Sequence, residues 1–552
     1  MKRHIKYITG IAAIASILAT GCKKDFFNRP PESSVTVGNY YKTTSQVQAA
    51  TNGLYGSLWF GWNNKVGWAI TELSSGNGFT YSSDVNAFIT WSAPNANPEI
   101  QAAWDSPFTV VAQCNGLIVN MPSTIPGVAQ STVNNALGEA HLMRAVAYFY
   151  LVRVFGNVPI VENPLNDISN FQSVPTNSIA DVYHLIVTDL QFAEANCSVG
   201  TASTGHGDSG SASAMLAKVY LYMQDYANAR KEAEKVINSG EFSLLPTYEN
   251  LFQTSFNNNK ESILAMQWIY NGPNGGYDYG NSIQASWAYN GTITGTGDGY
   301  AVFGPTIDLQ NAFKTEGGDS TRRHATIMLP GSHYADLDAA SGGYTFPLSA
   351  SAQTENAAAK KYVVGTPADN GGKSAAQASG NNTYIERYSD VLLIEAEAIL
   401  GQASAVQPGT GIPLDATTSD PTALQYFNMV RARVGVPTVT SFTYSQLLLE
   451  RRLEFALEQD YWFDLCRLDG YQTAGSETSP THHPTAIAVI SQQERGTYSN
   501  TLYDNNGNPN NPTIYSTKLT PTDANFFFPV PVIESATDPN LLKAPVKYPF
   551  KN

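Results

Sequence analysis

The stretch Glu139–Pro159, EAHLMRAVAYFYLVRVFGNVP, constrains this chain more than any other part of it. Between Leu142 and Phe155 only Arg144 and Arg153 are charged. A helix that is apolar on nearly every side is stable only when other elements cover it on nearly every side. Gly156 can take the left-handed conformation that ends a helix, and Pro159 prevents its resumption. The segment therefore predicts the central helix of a large helical core, and its aromatic run Tyr148, Phe149 and Tyr150 belongs to packing rather than to ligand binding.

Helical signals lie on both sides of it. Thr43-Thr44-Ser45-Gln46 reads as a capping box, followed by Val47, Ala50, Leu54 and Leu58 at helical spacing. Glu99 opens another helical run, and Ser178 precedes a third. Residues 211–240 predict two helices joined at Gln224–Asp225, with Ala214, Ala217, Ala227 and Ala233 allowing close contact. That hairpin resembles a tetratricopeptide repeat, a unit that stacks on its neighbours. Helical patterns resume at Tyr388–Leu400, Ala423–Val434 and Ser445–Gln459. The expected fold is mainly α, a tetratricopeptide-like helical scaffold with a large, loop-rich insertion carrying short strands such as Ser262–Ile269. The expected division is 39–240, an insertion at 241–385, and a helical region with an irregular tail at 386–552.

The first residues are a targeting segment. Lys2, Arg3 and Lys6 precede the short apolar run Ile8–Ala19, which ends Leu18-Ala19-Thr20-Gly21-Cys22. Small residues directly before a cysteine resemble a bacterial lipobox. The expectation is a signal peptide over 1–21, a lipid anchor on Cys22 and a polar tether over 22–38. No other run reaches the ~18 apolar residues of a spanning helix, so the protein is expected to be anchored to a membrane rather than to cross it. Cys114, Cys197 and Cys466 are far apart without metal-ligand spacing, and Cys114 and Cys466 sit in apolar runs as buried thiols.

Chemistry-bearing motifs are weak. The net charge of −14 argues against a nucleic-acid partner. Gly207-Asp208-Ser209-Gly210 resembles the surroundings of a serine nucleophile but reads as a loop, with Ser211 or Ser213 capping the next helix. His482-His483 lacks further ligands nearby, and Asp504–Asn508 reads as a turn rather than a calcium loop. A glycosidase needs two carboxylates facing one cleft. Glu395 and Glu397 face different ways on a helix, while Glu450, Glu454 and Glu458 share a face beside Arg451 and Arg452 and read as ion-paired. No phosphate loop, dinucleotide fingerprint or zinc-protease motif is present, and nothing points to a cofactor or a metal.

What remains is aromatic. Only 14% of residues are charged and 11% are aromatic, which suits uncharged hydroxylated ligands. Tryptophan and tyrosine faces stack on the C–H side of a sugar ring, and clustered aromatics in glycine-rich loops are placed at the surface. Two such regions occur, Trp59–Trp91 and Trp268–Tyr300, the second holding Trp268, Tyr270 and Tyr300 among others. The candidate glycan-binding residues drawn from them are Phe79, Tyr81, Trp91, Tyr277, Tyr279, Trp287 and Tyr289.

Several motifs in order resemble the SusD/RagB family of outer-membrane nutrient-binding lipoproteins. They are Gly21-Cys22 with Asp25-Phe26-Phe27 and Pro30; Glu139-Ala140, Arg144-Ala145 and Phe155–Pro159; Arg387-Tyr388, Asp390 and Glu395–Glu397; Asn428 with Arg431 and Arg433; Glu450–Arg452 with Trp462–Leu465 and Arg467; and Phe528–Pro531 with Asp538–Leu541. The resemblance implies a cell-surface lipoprotein of the outer membrane that captures oligosaccharide. It further implies a lid on a SusC-like TonB-dependent transporter, acting in import without catalysis. Some members bind peptides instead, so a peptide-binding lid is the alternative, with a secreted helical glycoside hydrolase behind it.

Overall fold

The computed structural model describes residues 40–163, 173–200, 202–315, 318–348, 357–406, 410–470, 482–499, 502–503, 509–510, 513–514 and 518–550. The signal peptide, Cys22, the tether and the turn at Asp504–Asn508 lie outside the described residues.

The first helix, α1 (Thr44–Asn52), begins with the expected box: Thr43 Oγ1 accepts from Gln46 N, and Gln46 Oε1 accepts from Thr43 N. The helices α2 (Pro98–Asn120), α3 (Gln130–Phe155), α4 (Ile179–Asn196), α5 (Ser209–Tyr222) and α6 (Tyr226–Ser239) follow, each packed on the next in chain order. The stacking continues across the insertion. Helix α6 packs on α7 (Tyr388–Ala403), and α7 packs on α8 (Pro421–Arg433) and α9 (Tyr444–Phe455). Chain-order stacking of helix pairs is the tetratricopeptide-like scaffold.

The central helix is α3. Every residue from Leu142 to Phe155 is buried, and Gly156 at φ +72° ends the helix. It starts at Gln130, earlier than its apolar pattern suggests. Both of its arginines are buried and paired, as buried charge must be. Arg144 donates from Nε and Nη2 to Asp189 of α4, each at 2.7 Å, and from Nη1 to Asn115 of α2 at 2.8 Å. One guanidinium thus ties three helices together. Arg153 lies 3.9 Å over the Phe149 ring and bonds Asp460 at 3.0 Å.

Two local expectations are corrected. Asp208, not Ser211 or Ser213, caps α5 by accepting from Ser211 N at 2.7 Å, because the helix already begins at Ser209 and holds both serines within it. In the hairpin α5–α6 the buried small residues of α6 are Ala233, as expected, and Ala229, while Ala227 faces solvent.

A larger correction concerns Trp59–Trp91. Residues Phe60–Leu73 are not a surface loop but a helical coil with π turns at Trp62–Val66 and Ala69–Leu73. Trp59, Trp62 and Trp68 are fully buried, and Trp59 and Trp62 pack on Tyr150 of α3 at 5.7 and 4.5 Å between ring centroids. Gly67 permits this approach, since a Cβ there would fall 2.1 Å from Gln459 Oε1.

The insertion is locked to the scaffold by a strand pair and a buried charge layer. Strand β2 (Ser262–Met266) pairs antiparallel with β4 (Thr383–Arg387), and both are largely buried. At the other side β1 (Gly78–Phe79) pairs with β3 (Gly304–Pro305). Helix α9 stops at Phe455, so only Glu450 and Glu454 share its face, and Glu458 follows in a turn. The ion-paired reading of all three holds. Glu450 pairs with Arg322 and Arg431, Glu454 with Arg322, Arg387 and Arg433, and Glu458 with Arg387 and Lys361. Burial alone would raise the Glu454 carboxyl, but its three arginines hold it well below the usual carboxylate range. Glu395 pairs with Arg230, and Glu397 with Arg467.

Candidate functional site

Beside the β1–β3 pair, alternation sorts the aromatics into two sets. Gly78 and Thr80 point inward, and a Cβ at Gly78 would fall 2.0 Å from the buried Phe303 ring. Phe79 and Tyr81, two residues apart, share the outward face and meet edge-on at 4.9 Å. Phe79 is half-buried and Tyr81 is 44% exposed. The second loop contributes Tyr277, 40% exposed, whose ring meets Phe60 edge-on at 4.9 Å.

A polar hinge joins these loops. Lys65, from the π-turned coil, pairs with Asp84, which also accepts from Ser82 Oγ. Burial pulls the Lys65 ammonium down, but Asp84 outweighs this and raises it, with Glu99 and Tyr277 adding to the rise. Burial would raise Asp84, yet Lys65 and Ser82 hold it below its usual range. Glu99, in the first turn of α2, is pushed up to about 7 by burial, with Asp84 adding and Lys65 opposing. Asn97 caps α2 and donates to the Asp84 carbonyl at 3.2 Å. Phe79 and Tyr81, the Ser82–Asp84–Lys65 contacts and the Phe60–Tyr277 pair, which is near enough for Tyr277 to act on the Lys65 charge, form the candidate ledge, with exposed aromatic surface at both ends and hydrogen-bonding groups between.

The other expected residues fall elsewhere. Trp287 has no exposed surface. It stacks on Phe303 at 4.8 Å and meets Trp68 edge-on at 6.2 Å, so it is core and not ligand surface. Trp91 is likewise buried, with Nε1 donating to the Ser74 carbonyl at 3.1 Å and the Arg495 guanidinium 4.4 Å over its ring. Both corrections have one cause: a large ring on a loop gains more from packing under it than from lying on it. Tyr279 is half-buried, and its carbonyl accepts from Ile269 N at 2.9 Å. Tyr289 is half-buried and leans edge-on against Phe346 at 4.9 Å, apart from the ledge. Sequence reasoning passed over Phe60, Lys65, Ser82 and Asp84. Tyr300, 50% exposed just before β3, belongs to the cluster noted in sequence but not to its candidate set.

Among the described residues no group of three or more His, Cys, Asp or Glu is arranged to hold a metal ion. His482 pairs with Asp523, and His483 is buried with its ring stacked on Phe526 at 3.9 Å. No helix among the described residues is long and apolar enough to cross a membrane.

Comparison with known proteins agrees with this architecture. A family model described as "SusD family" matches residues 260–546, and one described as "Starch-binding associating with outer membrane" matches residues 42–221. A SusD-like protein of Bacteroides ovatus is 32% identical over 470 residues, covering 82% of this chain and 81% of its own. A SusD-like protein of Formosa agariphila, P2, is 27% identical over 466 residues, covering 78% and 85%. A solved structure described as carrying xylogluco-oligosaccharide superposes with a TM-score of 0.78 at 28% identity, covering 92% of this chain and all of that one. With one family model spanning more than half the chain and the motifs around α3, α7 and α9 in place, the chain belongs to the SusD family.

Proposed function

We propose that this protein is a non-catalytic glycan-binding lipoprotein of the outer-membrane surface that captures a neutral oligosaccharide on the Tyr81–Tyr277 ledge. The observation that carries the reading is the ledge itself: exposed tyrosine rings from two separate loops, bridged by Lys65 and Asp84. Rings at the ends offer faces for sugar stacking, and the polar groups between them suit hydroxyls. The similar structure with bound xylogluco-oligosaccharide supports the ligand class, and a β-linked neutral glycan of that kind is the first ligand to try. In this reading Cys22 carries the lipid. The 241–385 insertion supplies one half of the site, and the bound glycan passes to a SusC-like TonB-dependent transporter that the protein covers as a lid.

Affinity electrophoresis and calorimetry against soluble neutral polysaccharides, with a reducing-end assay beside them, test this. The expected result is retention by at least one glycan with no new reducing ends. Release of reducing ends would establish a hydrolase. A blank glycan panel with retention of a peptide pool would establish the peptide-binding lid.

A further inference from the structure

A second concavity lies away from the ledge. A cleft of about 450 Å³ opens between α1, the first turns of α3 and the loop at 198–206, and no ledge residue lines it. Its floor is a fixed constellation. The Glu139 carboxylate is buried and accepts from Tyr55 OH at 2.7 Å, His206 Nδ1 at 2.6 Å and Asn135 Nδ2 at 2.6 Å. Tyr55 OH in turn accepts from Gly207 N at 2.9 Å. With Nδ1 bound to Glu139, the His206 ring is held in one orientation. Its side chain is 30% exposed, it lines the cleft, and Nε2 has no protein partner among the described residues.

The lining selects a ligand by what it contains and what it lacks. Gln48, Asn52 and Ser131 stand at exposed positions, and their amides and hydroxyl can both donate and accept. The lining has no lysine or arginine, and its one carboxylate accepts from three donors and pairs with His206, whose imidazole that bond raises, so the charges of the cleft are matched within it and favour neither an anion nor a cation. No phenyl, phenol or indole ring faces the cleft, since Tyr55 is buried beneath its floor, so a glycan chain would find no stacking surface. Directional hydrogen bonding is what is left, at a volume within the range of small-molecule pockets.

We propose that this cleft is a second ligand site for a small uncharged hydroxylated molecule, a free mono- or disaccharide or a polyol, bound edge-on by His206 Nε2 and the surrounding amides and hydroxyls. Saturation-transfer NMR on the full-length protein tests it with glucose, xylose, galactose, cellobiose and glycerol as separate probes. At least one probe is expected to give a saturable signal. His206→Gln should weaken that probe roughly three- to tenfold, the effect of one hydrogen bond. Ser131→Trp and Gln48→Trp, at exposed positions on the rim, should abolish it by filling the mouth, with circular dichroism confirming the fold. Tyr277→Ala should leave it unchanged while losing oligosaccharide affinity at the ledge. The proposal is overturned if no probe saturates, if the signal survives both tryptophan plugs, or if Tyr277→Ala removes it. A parent protein that retains no oligosaccharide, with the small-molecule signal intact, would count against the proposed function and not against this cleft.

Discussion

Trp287 and Tyr277 lie ten residues apart in one aromatic loop region, yet the structure gives them opposite roles, and alanine substitutions separate those roles. Trp287 is fully buried, with Phe303 stacked at 4.8 Å and Trp68 and Tyr362 edge-on at 6.2 and 6.5 Å. Its indole N–H has no hydrogen-bond partner among the described residues, so truncation removes packing and leaves none of their polar groups orphaned. Trp287→Ala should therefore cost about 3–5 kcal/mol of stability, the cost of a large aromatic deleted from a core. That is a large fraction of a net stability of roughly 5–15 kcal/mol. Tyr277 is 40% exposed and meets one ring, Phe60. Its truncation should cost about 0.5–1.5 kcal/mol of stability, the worth of one aromatic pair. If it stacks on sugar, Tyr277→Ala should cost about 1–2 kcal/mol of binding, a roughly 5- to 30-fold rise in Kd. Urea titrations followed by circular dichroism give the first quantity, and calorimetry with a xylogluco-oligosaccharide at low urea gives the second. The reasoning fails if Trp287→Ala keeps full stability but loses affinity. It also fails if Tyr277→Ala and Tyr81→Ala both bind like the parent protein.

Three further substitutions probe the charges. Glu454→Gln removes the one carboxylate common to Arg322, Arg387 and Arg433, but Arg322 keeps Asp319 and Glu450 and the other two keep Glu261, so the cost should be about 1.5–3 kcal/mol at neutral pH in urea titrations. Because the folded state holds this carboxyl below its ordinary 4.5, its contribution is present above that pH and is lost as the pH falls through the lowered value, so the gap between parent and variant should close on acidification. Glu99 has the opposite sign. Its pKa rises from 4.5 to about 7 on folding, so the parent loses stability as pH climbs through that window, and Glu99→Gln should gain about 1–2 kcal/mol relative to it at pH 8 and nothing at pH 4. Lys65→Met, whose partner Asp84 is a third exposed, should change stability by less than about 1 kcal/mol but weaken oligosaccharide binding by loosening the two halves of the ledge, read by calorimetry.

The scaffold was legible wherever local signals and burial agree. The box at Thr43 and Gln46, the cap at Ser178 and the glycine stop at Gly156 are properties of a few neighbouring residues, and the structure shows them in place, with Gly156 at positive φ but at ψ −110° rather than in the left-handed helical conformation. The same device at Thr443 and Gln446 starts α9 at Tyr444, one residue before the expected Ser445. Boundaries were misjudged where tertiary contact overrides composition. Gly138 interrupts the apolar run of α3 and so hides the helix before it, but it is needed because a Cβ there would lie 2.7 Å from Cys197 Sγ. Gly61 and Gly67 make Phe60–Leu73 look like loop, although they are the surfaces along which the π-turned coil nests against its neighbours.

The ledge could be narrowed only to a set of aromatics, since sequence spacing does not say which face of a loop is covered. The deciding fact is the register of β1 on β3, a contact between residues more than 200 positions apart. That pairing sends Phe79 and Tyr81 outward and seats Phe303 beneath Gly78, where it stacks with Trp287. Trp287, favoured from sequence, is thus part of the floor beneath the β1 aromatics, while Trp91 is packed elsewhere against Trp462 and Arg495. Lys65 and Asp84 were invisible for the same reason: each is an ordinary surface charge until the fold brings a coil and a loop together. A ledge built this way depends on its floor, so core substitutions at Trp287 or Phe303 should reach the ligand only through loss of fold. Substitutions at Lys65 should reach it with the fold intact. That difference in route, stability first or affinity first, separates a residue that supports the site from one that belongs to it.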